Sequence, residues 1–253
     1  MILQIDAGNT RIKWRVIEAS SALTKAPKTV VEGNQLTASI LAGEPLLLPA
    51  LTALTVAQLS NVAGDRIAEN LSKQLQTQFA ISLKVARVSP QVGLVSCGYT
   101  VPETLGVDRW LVVLAAFKQT AGAAVVVDAG SALTVDIINS AGVHQGGYIV
   151  PGLRLLQESL WQGTDRVKVD QSVSGEQPIP GVTTEQAVSH GSTLMLVAFI
   201  ERLAAEHRAE LIITGGDALL LKSQLASKAD YCPDLVLDGL SVEGLIFTSG
   251  TDK

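Results

Sequence analysis

The chain has 253 residues, 47% hydrophobic and only 4% aromatic, so it can bury a large core built mainly from Leu, Val, Ile and Ala, in one large domain or two small ones. A net charge of -5 and the lack of any Lys/Arg run remove the basic field that a nucleic-acid backbone needs, so nucleic acid is excluded as a partner. No stretch has the uninterrupted apolar length of a membrane span. Met1–Ile5 is followed at once by Asp6 rather than by a long apolar segment, and the two cysteines, Cys97 and Cys232, lack the paired spacing of a metal knuckle. The expectation is a cytoplasmic protein with two free thiols and no membrane partner.

In chain order, Ile2–Ile5, Arg11–Ile17 and Thr29–Glu32 read as strands separated by short polar breaks, an antiparallel meander. Asp65–Phe79 carries Ile67, Leu71, Leu75 and Phe79 at helical spacing, and Ile81–Val88 reads as a strand. After a loop holding Pro90 and Pro102, Val107–Lys118 is a strongly apolar helix. The order then starts again: strands at Ala123–Val127, Ala132–Ile138 and Gly142–Val150, helices at Leu153–Trp161 and Glu185–Ala209, and a strand at Glu210–Thr214. A helix near Ala218–Leu225, a strand at Leu235–Leu237 and a helix at Val242–Phe247 complete the reading. Gln171–Thr183, rich in Ser, Gly and Pro, reads as a loop. Three strands followed by alternating helices and strands, read twice, predict two related α/β lobes, residues 1–120 and 121–253.

Each half opens on the same letters. MILQIDAGNTRIKWRVIE places Asp6, Ala7 and Gly8 at the end of a strand, and AAVVVDAGSALTVDII places Asp128, Ala129 and Gly130 likewise. An aspartate at a strand end puts a carboxylate where an ion can reach it, and Mg²⁺ is the usual ion beside phosphates. Gly8 and Gly130 let backbone N–H groups approach phosphate oxygens, while Asn9, Thr10 and Ser131 add neutral donors. Asp-Gly is also ordinary hairpin chemistry, but two copies at equivalent points of two similar strand patterns point to a polyphosphate grip. A third glycine turn, Thr214-Gly215-Gly216-Asp217, lies between a strand and a helix, where N–H groups could line a nucleotide pocket.

These residues resemble the actin, hexokinase and acetate kinase superfamily and, more narrowly, the type III pantothenate kinases. The resemblance is carried by Asp6-Ala7-Gly8-Asn9-Thr10, Gly106-Val107-Asp108-Arg109, Asp128-Ala129-Gly130-Ser131-Ala132-Leu133-Thr134 and Gly146-Gly147-Tyr148-Ile149-Val150-Pro151-Gly152, in that order along nearly the whole chain. Ser131 replaces the more usual Thr and keeps its hydroxyl. Thr183-Thr184-Glu185 matches a stretch usually written Asn-Thr, which aligns Thr184 with a substrate-contacting Thr and leaves Thr183 as the neighbouring alternative.

The resemblance implies two duplicated ribonuclease-H-like lobes with the nucleotide cleft between them, and transfer of the ATP γ-phosphoryl group to pantothenate, the first step towards coenzyme A. It makes Asp108 the general base and Gly106, Val107, Arg109, Tyr99 and Thr184 its companions around the substrate. Asp6, Ala7, Gly8, Asn9, Thr10, Arg11, Ile12 and Lys13 then form the ATP hairpin, with Asp6 on Mg²⁺; Asp128 takes a monovalent cation, K⁺ or NH₄⁺, and Ser131 touches ATP. It also implies a homodimer, with the helix at Val107–Lys118 as one candidate contact, although burial in its own lobe explains the same apolar residues. From the residues alone, Gly-Val-Asp-Arg also fits a helix N-terminus with Arg109 in a surface pair.

His144, His190 and His207 match no triad or metal spacing and read as structural or exposed. Trp14, Trp110 and Trp161 read as core or interface residues, with Trp110 placed to shape the site. The rival readings are a regulatory accessory factor or nucleotide-binding switch on the same fold, and a kinase for another small acid or sugar.

Overall fold

The computed structural model describes residues 1–18, 28–51, 53–163 and 179–250. The chain divides into two units, Met1–Lys118 with Asp234–Lys253, and Gln119–Pro233.

In the first unit β1 (Ile2–Ala7), β2 (Arg11–Ile17) and β3 (Thr29–Leu36) form the expected meander, followed by a short α1 (Thr37–Leu41). Then come β4 (Val56–Asn61), α2 (Asp65–Phe79), β5 (Leu83–Arg87), a small ribbon of β6 (Gln91–Val92) and β7 (Val95–Ser96), a 3₁₀ turn at Pro102–Thr104, and α3 (Val107–Thr120). The second unit holds β8 (Ala124–Ala129), β9 (Ala132–Ile138), β10 (His144–Pro151), α4 (Leu153–Gly163), α5 (Thr184–His207), β11 (Glu210–Thr214), α6 (Ala218–Gln224) and β12 (Ala229–Tyr231). The chain then re-enters the first unit with α7 (Leu235–Gly239) and β13 (Ile246–Ser249).

The first sheet runs β3-β2-β1-β4-β5-β13 and the second β10-β9-β8-β11-β12. Setting β13 aside, the two have the same order and the same senses: antiparallel, antiparallel, parallel, parallel. The duplication read from the sequence is thus a duplication of topology. Central strands covered on both faces should read as unbroken apolar runs. Val125, Val126 and Val127 of β8 and Leu211, Ile212 and Ile213 of β11 do so, all fully or nearly fully buried. The edge strands β3 and β10 are largely exposed. On β3, Gly33 faces Trp14 of β2, and a Cβ there would stand 2.5 Å from the indole Cζ2, so the glycine is what lets the ring lie flat across the edge.

Each unit has its own core. In the first, Leu3, Ile5, Ile12, Trp14 and Leu59 pack with Ile67, Leu71 and Leu75 of α2, the stripe expected from spacing. In the second, Val125, Val127, Leu133 and Val135 pack with Leu196, Ile200 and Leu203 of α5. Each such side chain contributes on the order of 1.5–3 kcal/mol by leaving water. α3 is buried from Arg109 through Ala116 within the single chain, so its apolar run needs no second copy to cover it. Among the described residues no helix is long and apolar enough to cross a membrane.

Four expectations are corrected. Leu235–Leu237 is the helix α7, not a strand: three apolar residues carry no period, and all three are buried. Val242–Phe247 is not a helix, because Ile246 and Phe247 open β13, which extends the first sheet by pairing antiparallel with β5. The expected boundary at residues 120/121 lies at 118/119, and the second lobe ends at Pro233 rather than at residue 253. β4, α1 and β12 were not expected at all; β4 is a half-polar VAQLSN whose place comes from parallel pairing with β1. The expected loop lies partly outside the described residues, at 171–178.

A buried polar network explains the return of the last residues. Gln4 of β1 is fully buried; its Nε2 donates to Gln58 Oε1 at 3.0 Å and to Ser241 Oγ at 2.9 Å, and its Oε1 accepts from Arg15 Nε at 2.9 Å. Arg15, also buried, meets Asp238 of α7 with Nη1 at 2.8 Å from Oδ1. Buried polar groups left without partners cost about 1–3 kcal/mol each, more when charged, so β1 and β2 require what α7 and Ser241 supply.

Candidate active site

Both DAG turns close hairpins. β1 and β2 pair out to Ala7 opposite Ile12, with Gly8 N–H donating to Arg11 O at 3.1 Å. β8 and β9 pair out to Ala129 opposite Leu133, with Gly130 N–H donating to Ala132 O at 3.1 Å. The first loop therefore carries one residue more than the second. The aspartates occupy equivalent sites: Asp6 stands between Lys13 and Ser60 in register, Asp128 between Thr134 and Thr214. Both are half-buried.

The first loop is fixed by its surroundings. Thr37, the first residue of α1, donates from Oγ1 to Gly8 O at 2.6 Å and from its N–H to Thr10 O at 3.1 Å. Val62 N–H donates to Ala7 O, and Arg11 Nη1 to Asn34 Oδ1 at 2.8 Å. Asn9, Thr10 and Arg11 are exposed, Lys13 is half-buried, and the Ala7 and Ile12 side chains are committed to the core. Any ligand contact from Ala7 or Ile12 is therefore a backbone contact. Thr37, which the sequence reading did not single out, carries no motif signal; only the fold brings it to the turn.

The Gly106-Val107-Asp108-Arg109 motif opens α3. Trp110 N–H donates to Gly106 O at 3.0 Å, and Arg109 N–H donates to Asp108 Oδ1 at 2.8 Å, which turns the carboxylate back over the helix start. A Cβ on Gly106 would lie 2.6 Å from that oxygen, so glycine is what makes room for it. Arg109 is not in a surface pair. Its side chain is buried, and Nη1 donates to Tyr99 Oη at 2.7 Å, with Cζ 5.6 Å from the Tyr99 ring centroid. A buried guanidinium needs such partners to offset lost hydration. Tyr99, Gly106, Asp108 and Arg109 are thus brought together. Trp110 is fully buried, so it packs the helix rather than lining a site surface.

Around the second DAG turn three glycine segments converge. Gly152 N–H donates to Ser131 O at 3.1 Å, and a Cβ on Gly152 would overlap Gly130 O and stand 2.7 Å from Ser131 O. Gly215, at φ +97°, has no room either: a Cβ would lie 2.5 Å from Asp128 Oδ1 and from Ala129 O. Asp217 N–H donates to Ala129 O at 3.0 Å. The Asp217 carboxyl is pushed above its ordinary value of 3.8, because burial outweighs the pull of Arg154. Ser131 is exposed at the tip.

Thr183 caps α5: its Oγ1 accepts from Gln186 N–H at 3.2 Å. The Glu185 carboxyl is held below its ordinary value by its own backbone N–H and, second, by the Thr183 side chain. Thr184 follows as the first helical residue and is exposed. His144 is structural, fully buried with Nε2 2.9 Å from Asp136 Oδ1. Cys97 and Cys232 form no disulfide.

The family model for type III pantothenate kinase matches residues 2–206. A type III pantothenate kinase of Chromohalobacter salexigens is 36% identical over 247 residues, covering 95% of this chain and 86% of that protein. That of Azotobacter vinelandii is 36% identical over 254 residues, covering 96% and 98%. Among solved structures, a Campylobacter jejuni protein assigned to the Baf family of transcriptional activators aligns with TM-score 0.59 at 22% identity, over 94% of both chains. A Sinorhizobium meliloti protein assigned as a 2-dehydro-3-deoxygalactonokinase aligns with TM-score 0.53 at 15% identity, over 95% of both. These two likenesses concern the fold; the sequence matches over 95–96% of the chain, with the family model, decide the family. By the family model and these relatives, this chain belongs to the type III pantothenate kinase family.

Proposed function

We propose that the protein transfers the γ-phosphoryl group of ATP to the primary hydroxyl of pantothenate, giving 4'-phosphopantothenate, the first committed intermediate on the way to coenzyme A. The observation that carries this reading is the Asp108 carboxylate, turned over the start of α3 beside a buried Arg109 that Tyr99 holds in place. Phosphoryl transfer asks a protein for an aligned acceptor, neutralised charge and a group to take the acceptor's proton. Asp108 is the base that orients the hydroxyl and accepts its proton. Arg109, a fixed fork of donors, suits the pantothenate carboxylate. Thr183 has its hydroxyl committed to the cap and to Glu185, which favours Thr184 as the residue that contacts substrate.

On the donor side, Gly8 to Lys13 and Ser131 present backbone and side-chain donors to ATP. Mg²⁺ is held by one or two carboxylates with substrate phosphates and water, and Asp6, a half-buried carboxylate at a strand end, fits that donor set. Asp128 would hold the monovalent cation, which neutralises charge without an octahedral shell. A homodimer is supported by apolar side chains exposed on the second unit: Tyr148 and Ile149 of β10, Leu160 and Trp161 of α4, and Leu194 and Met195 of α5. We place the enzyme in the cytoplasm, where its co-substrate ATP is made.

The test is ATP consumption with pantothenate and K⁺, set against sugar and other small-acid acceptors. Pantothenate should stimulate turnover, and Asp108→Asn should remove most of it, roughly 10²-fold or more, while ATP still binds. No stimulation by pantothenate would favour a regulatory role or another acceptor; near-normal turnover in Asp108→Asn would remove it as the base.

A further inference from the structure

The residues leading into α5 are fastened in an unusual way. Ile179 is 62% exposed and Val182 90%, so no burial of apolar surface holds this arm against the protein. Hydrogen bonds do. Val182 N–H donates to Gln186 Oε1 at 2.9 Å, Gln186 N–H to Thr183 Oγ1, and the His190 ring meets Ile179 O through Nδ1 at 2.7 Å. Gly181 lies so close to the backbone of Gln186 and Ala187 that a Cβ would overlap it, so the arm lies directly on the first turns of the helix.

His190 anchors the far end of this arm. Its ring is nine-tenths buried. A carbonyl oxygen only accepts, so Nδ1 carries a proton; Nε2 is buried and has no hydrogen-bond partner among the described residues. The ring is thus committed to one carbonyl, eleven residues back in the chain.

We infer that His190 is a positioning residue for the acceptor substrate: by tying Ile179 O to the buried face of α5 it fixes the arm that leads through the Thr183 cap into Thr184, the first residue of that helix. The inference rests on the proposed pantothenate phosphorylation. It assigns His190 no contact with substrate and no proton transfer.

The test compares His190→Ala, His190→Asn and His190→Gln with the unmodified enzyme in steady-state assays, alongside hydrogen exchange of the Val182 and Gln186 amides. An Asn amide nitrogen can stand where Nδ1 stands, whereas Gln extends towards the Nε2 position. His190→Ala and His190→Gln should raise KM for pantothenate roughly tenfold, with kcat and KM for ATP changed by less than about twofold, and should speed exchange at both amides. His190→Asn should restore both readouts. An unchanged KM for pantothenate in His190→Ala, or equal losses in kcat and both KM values with a collapsed thermal midpoint, would overturn the inference. If the unmodified enzyme does not phosphorylate pantothenate at all, the proposed function fails first and this inference with it.

Discussion

At the scale of single residues, Gly106 shows how a motif letter acquires a physical reason. Spacing alone makes Gly-Val-Asp-Arg either a helix start or a substrate motif, and the structure realises part of each: Asp108 does fold back on the first turn, yet Arg109 is buried against Tyr99 rather than paired at the surface. What the sequence could not show is that the glycine is needed by the carboxylate, since the clash concerns two side-chain positions whose distance depends on the turn. Gly106→Ala should push the Asp108 carboxylate out of place by about an ångström and lower kcat roughly 10²-fold, leaving the ATP dissociation constant unchanged. Steady-state kinetics with equilibrium ATP binding checks it, and a normal kcat would mean that this orientation does not matter. Thr37 and the capping role of Thr183 were illegible for a related reason: each matters through a backbone group that the fold brings to it.

At the scale of elements, long periodic or continuously apolar segments were legible. α2, α5 and the central strands β8 and β11 stand where their patterns put them, because burial on one stripe or on both faces leaves a record in the residue types. Short elements left none: α7 and β13 are set by what they pack against, and β4 by its pairing with β1. The turn before α6 makes a prediction of its own. Asp217 stands at the start of that helix without making a side-chain cap bond, and burial raises its carboxyl above the ordinary value. An acid whose folded value is raised takes up a proton on folding, so its penalty is absent below about pH 3.8 and grows as pH climbs through the folded value. Asp217→Asn should therefore raise the thermal midpoint at about pH 7, and the gain should vanish on acidification towards pH 3.8. A gain that is the same at both ends of that range would show that charge is not the cause.

At the scale of the whole molecule, the repeat was legible as a repeat: two DAG hairpins head two sheets of the same strand order. The route of the chain was not, because Gln4 and Arg15 look in sequence like ordinary polar strand residues, and nothing marks Asp238 and Ser241 as their partners. A chain ending at Pro233 would strip Gln4 and Arg15 of those partners and leave β5 as an open edge. It should show a lower thermal midpoint and faster proteolysis of the first unit, both measurable against the full chain; an unchanged midpoint would mean the network carries no stability. The same routing has a temporal meaning. Gln4 and Ser241 are separated by 237 positions, so on the ribosome the first sheet leaves the exit tunnel long before its last strand is made. The second unit is one continuous stretch and can finish first, while the N-terminal strands wait with an unfilled edge, the exposure that favours chaperone binding or aggregation. The first sheet therefore gains its last partners only once the residues around Ser241 and β13 have been made.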